Sequence, residues 1–303
     1  MKICLLGASG LAGQGILNEL NNHKTSSWEI LTPNRSELDL AIFVGVVEYL
    51  GENKPDIVIM SAGKVGGIEY NLRNQLDQYI VNLKINENVI NACAFHSIER
   101  LILLSSSCIY PTKLDTPISE SKLFNGMPEP TNEGYALAKI TSIRHLLLRR
   151  NLEQRDWMVL IPSNLYGPVP HFLSDDHVIP MLINKFSSND NVIKLWGDGT
   201  PKRQFLHNSD LGSAVRFIIE KKNLPSILNV APTVVTSINE LAKILSEIFE
   251  FDGQIEFDLS KPNGHPDKSI SSSRLGQLGW SSSVDLREGL KDLVDYLKTH
   301  KLL

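Results

Sequence analysis

A doubly wound α/β fold is predicted by three features of this 303-residue sequence. Nearly continuous short apolar runs alternate with helical stretches through the first half, the pattern of a parallel sheet covered on both faces. A glycine-rich turn, GASGLAG, joins the first apolar run to the first helical stretch. Beyond about residue 166 the alternation gives way to scattered amphipathic helices, which predicts a smaller lobe against the sheet.

In order, KICLL reads as a buried strand and LAGQGILNELNN as the helix behind it. WEILTP is a second strand, followed by the helical IFVGVVEYLGE. DIVIMSAG is a third, followed by a long helical stretch over about residues 73–96. RLILLSSS is the fourth strand, EGYALAKITSIRHLLLRRN the helix after its loop, and WMVLIPSNLYG a fifth strand with its exit. HVIPMLINKF then reads as a short helix, VIKLW as a strand and NSDLGSAVRFIIEKK as a helix returning to the core. INELAKILSEIFE and LREGLKDLVDYLKTH are further amphipathic helices. The expected division is a nucleotide-binding domain over 1–165, rejoined by about 205–235, and a substrate-binding lobe from 166–204 and 236–303. Ligands of such sheets bind beyond the carboxyl ends of the strands, so the lobe is expected to close over that edge.

Composition narrows the class. Hydrophobic residues make up 42% and charged residues 21%, as in a soluble globular protein, and the net charge of −4 carries no basic footprint for nucleic acid. No apolar run reaches membrane-spanning length. The N-terminus enters a strand directly, without a leader pattern. The three cysteines, Cys4, Cys93 and Cys108, form no disulfide framework or metal cluster. A reduced, cytoplasmic protein is expected.

The turn supplies Gly7, Gly10 and Gly13 between a strand and a helix. Glycine lets backbone approach a pyrophosphate, and the helix N-terminus favours its charge. A dinucleotide cofactor is therefore expected in a Rossmann-type core. At the end of the second strand, ILTPNRSELDL offers no carboxylate at Thr32 or Pro33, while Arg35 follows closely. An arginine there suits the 2′-phosphate of NADP, and a carboxylate suits NAD. Glu37 and Asp39 lie nearby, so a surface role for Arg35 stays open, with NADP(H) favoured.

Tyr135 and Lys139 are four residues apart in EGYALAKI and share a helix face. An adjacent ammonium lowers a tyrosine pKa, which would make Tyr135 a proton donor to a carbonyl under reduction; a plain solvated pair is the alternative. Ser106, at the end of the fourth strand, is positioned in sequence to bind the same carbonyl. Glycine turn, strand-end serine and Y-x-x-x-K in this order resemble the extended short-chain dehydrogenase/reductase family.

The segments AGKVGGI, SSSCIYP, EPTNEGYALAKI, PSNLYGP, HVIP, LWGDGTPKRQFLH, KPNGHPDK and RLGQLGW narrow the resemblance. Over about residues 1–280 they resemble the GDP-L-fucose synthase family of GDP-4-keto-6-deoxymannose 3,5-epimerase/4-reductases. The resemblance implies that Cys108 is the base and His177 the acid of epimerisation at C3 and C5. It implies that NADPH reduces C4, with Tyr135 as proton donor, Lys139 tuning it and binding nicotinamide ribose, and Ser106 orienting the ketone. It extends the cofactor set to Ser9, Leu11, Ala12, Leu104, Ser105, Pro162, Asn164 and Leu165. It assigns Lys185, Trp196 and Arg203 to the GDP-sugar, and it implies a homodimer through the helices near 73–96 and 135–150. Cys4 and Cys93 read as core residues; His265 and the histidines other than His177 read as surface or structural.

Departures from the family pattern cluster on the substrate side. Ala8 and Ser9 replace a histidine and a basic residue in the glycine turn, and Lys185 stands where the family carries arginine. In KPNGHPDK, Asn263, His265 and Asp267 differ from the family's K-P-D-G-T-P-R-K, and Ser271 replaces an aspartate. Such a pattern fits kept chemistry with altered sugar contacts. It leaves open a C4 reductase of another GDP-4-keto sugar, such as a 6-deoxy-heptose, with Cys108 and His177 as passengers. A non-catalytic NADP sensor is the third reading, against which both Tyr135 and Lys139 speak.

Overall fold

The computed structural model describes residues 1–303 except Lys24, Ser26, Asp175, Asp176, Asn189 and Pro262, and leaves the side chains of Ile68, Glu69 and Ser174 undescribed. The first half runs β1 (Lys2–Leu6), α1 (Leu11–Asn22), β2 (Glu29–Leu31), α2 (Phe43–Asn53), β3 (Ile57–Met60), α3 (Ile68–Arg73), α4 (Gln75–Phe95), β4 (Arg100–Leu104), α5 (Glu133–Glu153), β5 (Asp156–Pro162) and β6 (Asn164–Tyr166). The second half runs α6 (Val178–Phe186), β7 (Val192–Trp196), β8 (Lys202–Arg203), β9 (Phe205–His207), α7 (Asn208–Ile219), β10 (Ile227–Val230), β11 (Thr236–Ser237), α8 (Ile238–Ile248), β12 (Gln254–Asp258), α9 (Ser273–Gln277) and α10 (Leu286–Thr299).

Six parallel strands form the central sheet in the order β10-β5-β4-β3-β1-β2. Because side chains alternate along a strand, β1 sends Cys4 and Leu6 to one face and Ile3 and Leu5 to the other. The first face is covered by α2, α4 and α5 through Val46, Leu50, Val89, Ile90, Ile143 and Leu146. The second is covered by α1 and α7 through Ile16, Leu20, Leu211, Val215 and Ile218. Burial on both faces explains why these strands read as unbroken apolar runs.

A third apolar cluster gathers α6, α8, α10, β7 and β12 around Leu182, Ile183, Leu195, Leu241, Leu245, Leu293 and Leu297. Not all of the stretch assigned from sequence to the lobe packs there. Ile270 joins the first sheet cluster, and Leu275 and Trp280 join the second. Asn229 in β10 ties this segment down, its amide donating to the carbonyls of Ile118 (3.1 Å) and Ser271 (3.0 Å).

The helical stretch expected over about 73–96 is α4, and Asn74, whose amide donates to the Tyr70 carbonyl at 2.8 Å, separates it from the short α3 by a local bond that competes with the helix ladder. One long element breaks where sequence suggested continuity. WMVLIPSNLYG divides at Ser163: its N–H donates to Val230, but that of Asn164 donates to Gln204, so the chain leaves β10 and pairs with β9.

Candidate active site

The β1–α1 turn is built for close approach of backbone. Gly7 has φ +88°, and a Cβ there would lie 2.5 Å from the Ala62 nitrogen. A Cβ on Gly13 would lie 2.1 Å from the Gly7 carbonyl oxygen. Gly10 caps α1 without a side-chain hydrogen bond, which leaves first-turn N–H groups to an anion. Ser9 is exposed and Leu11 and Ala12 are half-buried at the same end, while Arg35 is exposed in the turn after β2. Glu37 turns back to accept from the Asn34 N–H at 2.8 Å.

The carboxyl ends of β4 and β5 lie along the same edge of the sheet, with β3 between them and β1. Leu104, Ser105 and Pro162 are buried there, with Leu165 half-buried and Asn164 exposed. The hydroxyls of Ser105 and Ser163 are buried without a hydrogen-bond partner among the described residues. Ser163 was not singled out from sequence; no local pattern marks a strand-end hydroxyl that loses its partner only when β5 and β6 diverge. A tight glycine cradle, an uncapped helix start and two orphaned hydroxyls fit a dinucleotide along this edge.

On α5, Tyr135 and Lys139 are both buried. The Lys139 ammonium donates to the Leu104 carbonyl at 3.0 Å and lies 5.8 Å from the Tyr135 ring centroid. Burial pushes its pKa down to about 8, opposed by Cys108. The lowering of the Tyr135 pKa expected from sequence does not occur. Burial, reinforced by Cys108, pushes the phenol well above its ordinary value, so Tyr135 stays protonated.

Cys108 lies in a 3₁₀ turn, Ser107–Ile109, directly after β4. Its N–H donates to the Ser106 hydroxyl at 3.5 Å, and the side chains of Ser106 and Asn132 favour its thiolate. A thiol that removes a proton works best with its pKa near neutrality. Instead burial pushes Cys108 up, while the bonds from Ser106 and Asn132 and the charges of Lys268 and Lys139 pull it down. Cys4 and Cys93 are fully buried, and burial raises both; Cys4 reaches about 12.

Cys108 lines a recess of about 20 Å³ with Tyr110, Thr112, Ile118, Glu129, His265 and Lys268. Lys268 is ion-paired to Glu129. His265, set aside in sequence, bonds through Nε2 to the Thr112 carbonyl at 2.6 Å, and its Nδ1 is buried without a partner among the described residues. Thr112 and His265 also border an open pocket of about 520 Å³ that includes Lys113, Asp115, Lys122 and Asp267. His177 does not line the recess; it is exposed at the N-cap of α6.

The remaining substrate candidates lie on the second half. Trp196 is 67% exposed at the end of β7, with Lys261 Nζ 5.7 Å from its ring centroid. Lys185 donates to the Lys194 carbonyl. Arg203 on β8 donates to the carbonyls of Lys202 (2.7 Å) and His265 (2.9 Å), and burial lowers its pKa against the charges of Glu129 and Asp267. The departures in KPNGHPDK have local work. Asn263 accepts from the Asp198 N–H at 2.7 Å, fastening the segment to the W-G-D-G-T-P turn. Asp267 accepts from Thr116 and from the Ser269 N–H; burial alone would raise its carboxyl, but these bonds and Lys202 hold it low.

Among known proteins, the family model described as NAD dependent epimerase/dehydratase matches residues 3–231. A putative GDP-L-fucose synthase 2 of Arabidopsis thaliana is 37% identical, over 97% of this chain and 91% of its own length. A GDP-L-colitose synthase of Yersinia pseudotuberculosis is 34% identical over 99% of both chains. A GDP-mannoheptose C4 reductase of Campylobacter jejuni, solved with NADP bound, superposes with a TM-score of 0.87 at 25% identity over 98% of each chain. With the family model spanning most of the sequence and relatives of this identity covering nearly all of it, the chain belongs to the NAD dependent epimerase/dehydratase family.

Proposed function

We propose that this chain is an NADPH-dependent enzyme that epimerises a GDP-4-keto-6-deoxy sugar at C3 and C5 and reduces it at C4, with GDP-L-fucose as the product. The observation that carries the reading is the convergence of Cys108, Ser106, Tyr135 and Lys139 where β4 and α5 meet. The relatives are named as a putative GDP-L-fucose synthase and a GDP-L-colitose synthase.

Gly7, Gly10 and Gly13, with Ser9, Leu11 and Ala12, hold the pyrophosphate side of the cofactor, and Arg35 takes the 2′-phosphate. Leu104, Ser105, Pro162, Asn164 and Leu165 line its nicotinamide end, with Lys139 on the ribose. Once bound, NADPH supplies the hydride for C4. The 4-keto group acidifies the protons on C3 and C5. Cys108 removes each proton and His177 returns one on the opposite ring face, a division of labour that suits a histidine outside the Cys108 recess. Ser106 hydrogen-bonds the ketone oxygen, and Tyr135, held protonated by its burial, donates its proton to that oxygen. Trp196, Arg203 and Lys185 hold the GDP-sugar.

A second reading, C4 reduction of another GDP-4-keto sugar without epimerisation, is favoured by one observation: burial pushes the Cys108 thiol up rather than toward neutrality. Incubation with GDP-4-keto-6-deoxymannose and NADPH separates the two. NADPH loss with an L-galacto product is expected; NADPH loss with unchanged C3 and C5 configuration leaves the reductase alone. No NADPH loss with any GDP-4-keto sugar overturns both.

We also read the chain as a cytoplasmic homodimer. Leu76 and Ile80 on α4 and Leu148 and Leu152 on α5 are exposed in i, i+4 pairs on helices packed against each other, an apolar surface suited to a second copy. Sedimentation at micromolar concentration tests this. Among the described residues no helix is long and apolar enough to cross a membrane.

A further inference from the structure

The recess beside Cys108 and the open pocket beyond it share two wall residues among those described, Thr112 and His265. Threonine has no group that titrates near neutral pH, whereas histidine is the side chain that takes and gives protons there. His265 is fixed by its Nε2 bond to the Thr112 carbonyl at 2.6 Å. A carbonyl oxygen accepts, so Nε2 carries the hydrogen, and the neutral ring keeps a bare lone pair on Nδ1. That Nδ1 is buried without a partner among the described residues. A recess of about 20 Å³ has room for one water, which needs polar partners in its walls. Cys108, His265 and the Glu129–Lys268 ion pair border it.

Epimerisation at two carbons asks more of Cys108 than one proton transfer. A thiolate that removes a proton from C3 becomes a thiol, and it must shed that proton before it acts at C5. Burial pushes the thiol up, so the proton stays on sulfur unless a neighbour accepts it. Tyr135 is itself held protonated by burial, and the Lys139 ammonium donates to the Leu104 carbonyl. Glu129 borders the recess but not the open pocket. Burial alone would raise its carboxyl, but the bond and charge of Lys268 hold it low, which makes it a poor acceptor. His265 combines an unused lone pair with a place in the wall of both spaces.

We propose that His265 is the proton carrier for Cys108, taking the thiol proton across one water in the recess and delivering it to water in the open pocket. The S–H proton passes to the recess water as that water gives one of its own to Nδ1. Sulfur is left as thiolate and the ring as imidazolium, and loss of a proton to pocket water restores the neutral ring. No bond to the sugar changes, and nothing is oxidised or reduced. His265 acts through Cys108 and not on the sugar, and the proposal rests on the reading of Cys108 as the epimerisation base. The test is deuterium entry at C3 and C5 of GDP-4-keto-6-deoxymannose in heavy water, followed by NMR with NADP⁺ in place of NADPH so that no hydride is transferred. His265→Gln keeps a donor for the Thr112 carbonyl but takes up no proton, and His265→Ala leaves a ring-sized gap beside the pocket. Entry at both carbons should fall about a hundredfold in each variant. Added imidazole should restore entry in His265→Ala and not in His265→Gln, a split that a purely structural role does not produce. Wild-type rates in folded His265→Gln, or a slow His265→Ala that imidazole does not restore, overturn the carrier and leave Cys108 as the base. No deuterium entry in the wild-type protein overturns the base and the carrier with it.

Discussion

The two edges of the candidate site are built from different kinds of contact. At the nucleotide edge, the Gly7–Gly13 turn presses on its own backbone and on Ala62 at the end of β3, within one strand–turn–helix unit and its neighbour. At the sugar edge, Cys108 is walled by Glu129, Asn132, Tyr135, Lys139, His265 and Lys268, brought from separate stretches of the chain. A backbone cradle has no slack, whereas a wall of side chains can exchange members. At that wall Asn263 accepts from Asp198, His265 bonds Thr112 and Asp267 accepts from Thr116, each through a side chain rather than a backbone cradle.

The sharpest break falls where the edges meet. Tyr135→Phe keeps the buried ring and removes the proton donor, so NADPH oxidation should fall about 10²- to 10⁴-fold, with NADPH affinity unchanged by fluorescence titration. Lost cofactor binding would move Tyr135 from chemistry to scaffolding.

Next in size is the rigidity of the nucleotide edge. Gly13→Ala drives a methyl against the Gly7 carbonyl, which cannot swing aside. A loss of about 3 kcal/mol or more is expected in denaturant unfolding. His265→Ala, at the side-chain wall, should cost about 1 kcal/mol through its single bond to Thr112. Equal losses would erase the contrast.

A pH experiment probes the shared wall. Burial lowers Lys139 to about 8 from an ordinary 10.5. The unfolded chain therefore keeps a proton that the folded chain releases between those values. Stability attributable to Lys139 should be at its minimum below pH about 8 and climb toward pH about 10.5, by at most about 3 kcal/mol. Cys4, raised to about 12, acts in the opposite sense above its ordinary value of 9.0, so the quantity to follow is wild type minus Lys139→Met. A flat difference contradicts the burial of a titrating Lys139.

The smallest expected effect on the kinetics is at Arg35, which is exposed. Arg35→Ala should raise the KM for NADPH about tenfold and leave that for NADH unchanged, as for one charged contact to the 2′-phosphate. Equal effects on both cofactors would return Arg35 to the surface role that its neighbours Glu37 and Asp39 left open.

Much of the nucleotide edge was legible because its signals are local. Apolar runs of strand length, a glycine turn and an i, i+4 pair on one helix can be read within a window of a few residues. His265 was missed because its bond to Thr112 spans 153 positions. Burial also reversed an electrostatic expectation. From sequence, Lys139 lowers Tyr135; in the fold, desolvation outweighs it. The register change at Ser163 lies outside any periodicity, because it depends on which strand lies alongside.

The central claim is that Cys108, half-buried and hydrogen-bonded beside Tyr135 and Lys139, is a working base. The direct measurement is the reaction of GDP-4-keto-6-deoxymannose and NADPH in heavy water, with NMR of the product from wild type and Cys108→Ser. Deuterium at C3 and C5 in the wild-type product, and at least a hundredfold slower incorporation in Cys108→Ser with NADPH binding intact, is the predicted result, about the weight of one acid–base group. Wild-type product without deuterium at either carbon would contradict the claim and leave a C4 reductase whose cysteine only fills space.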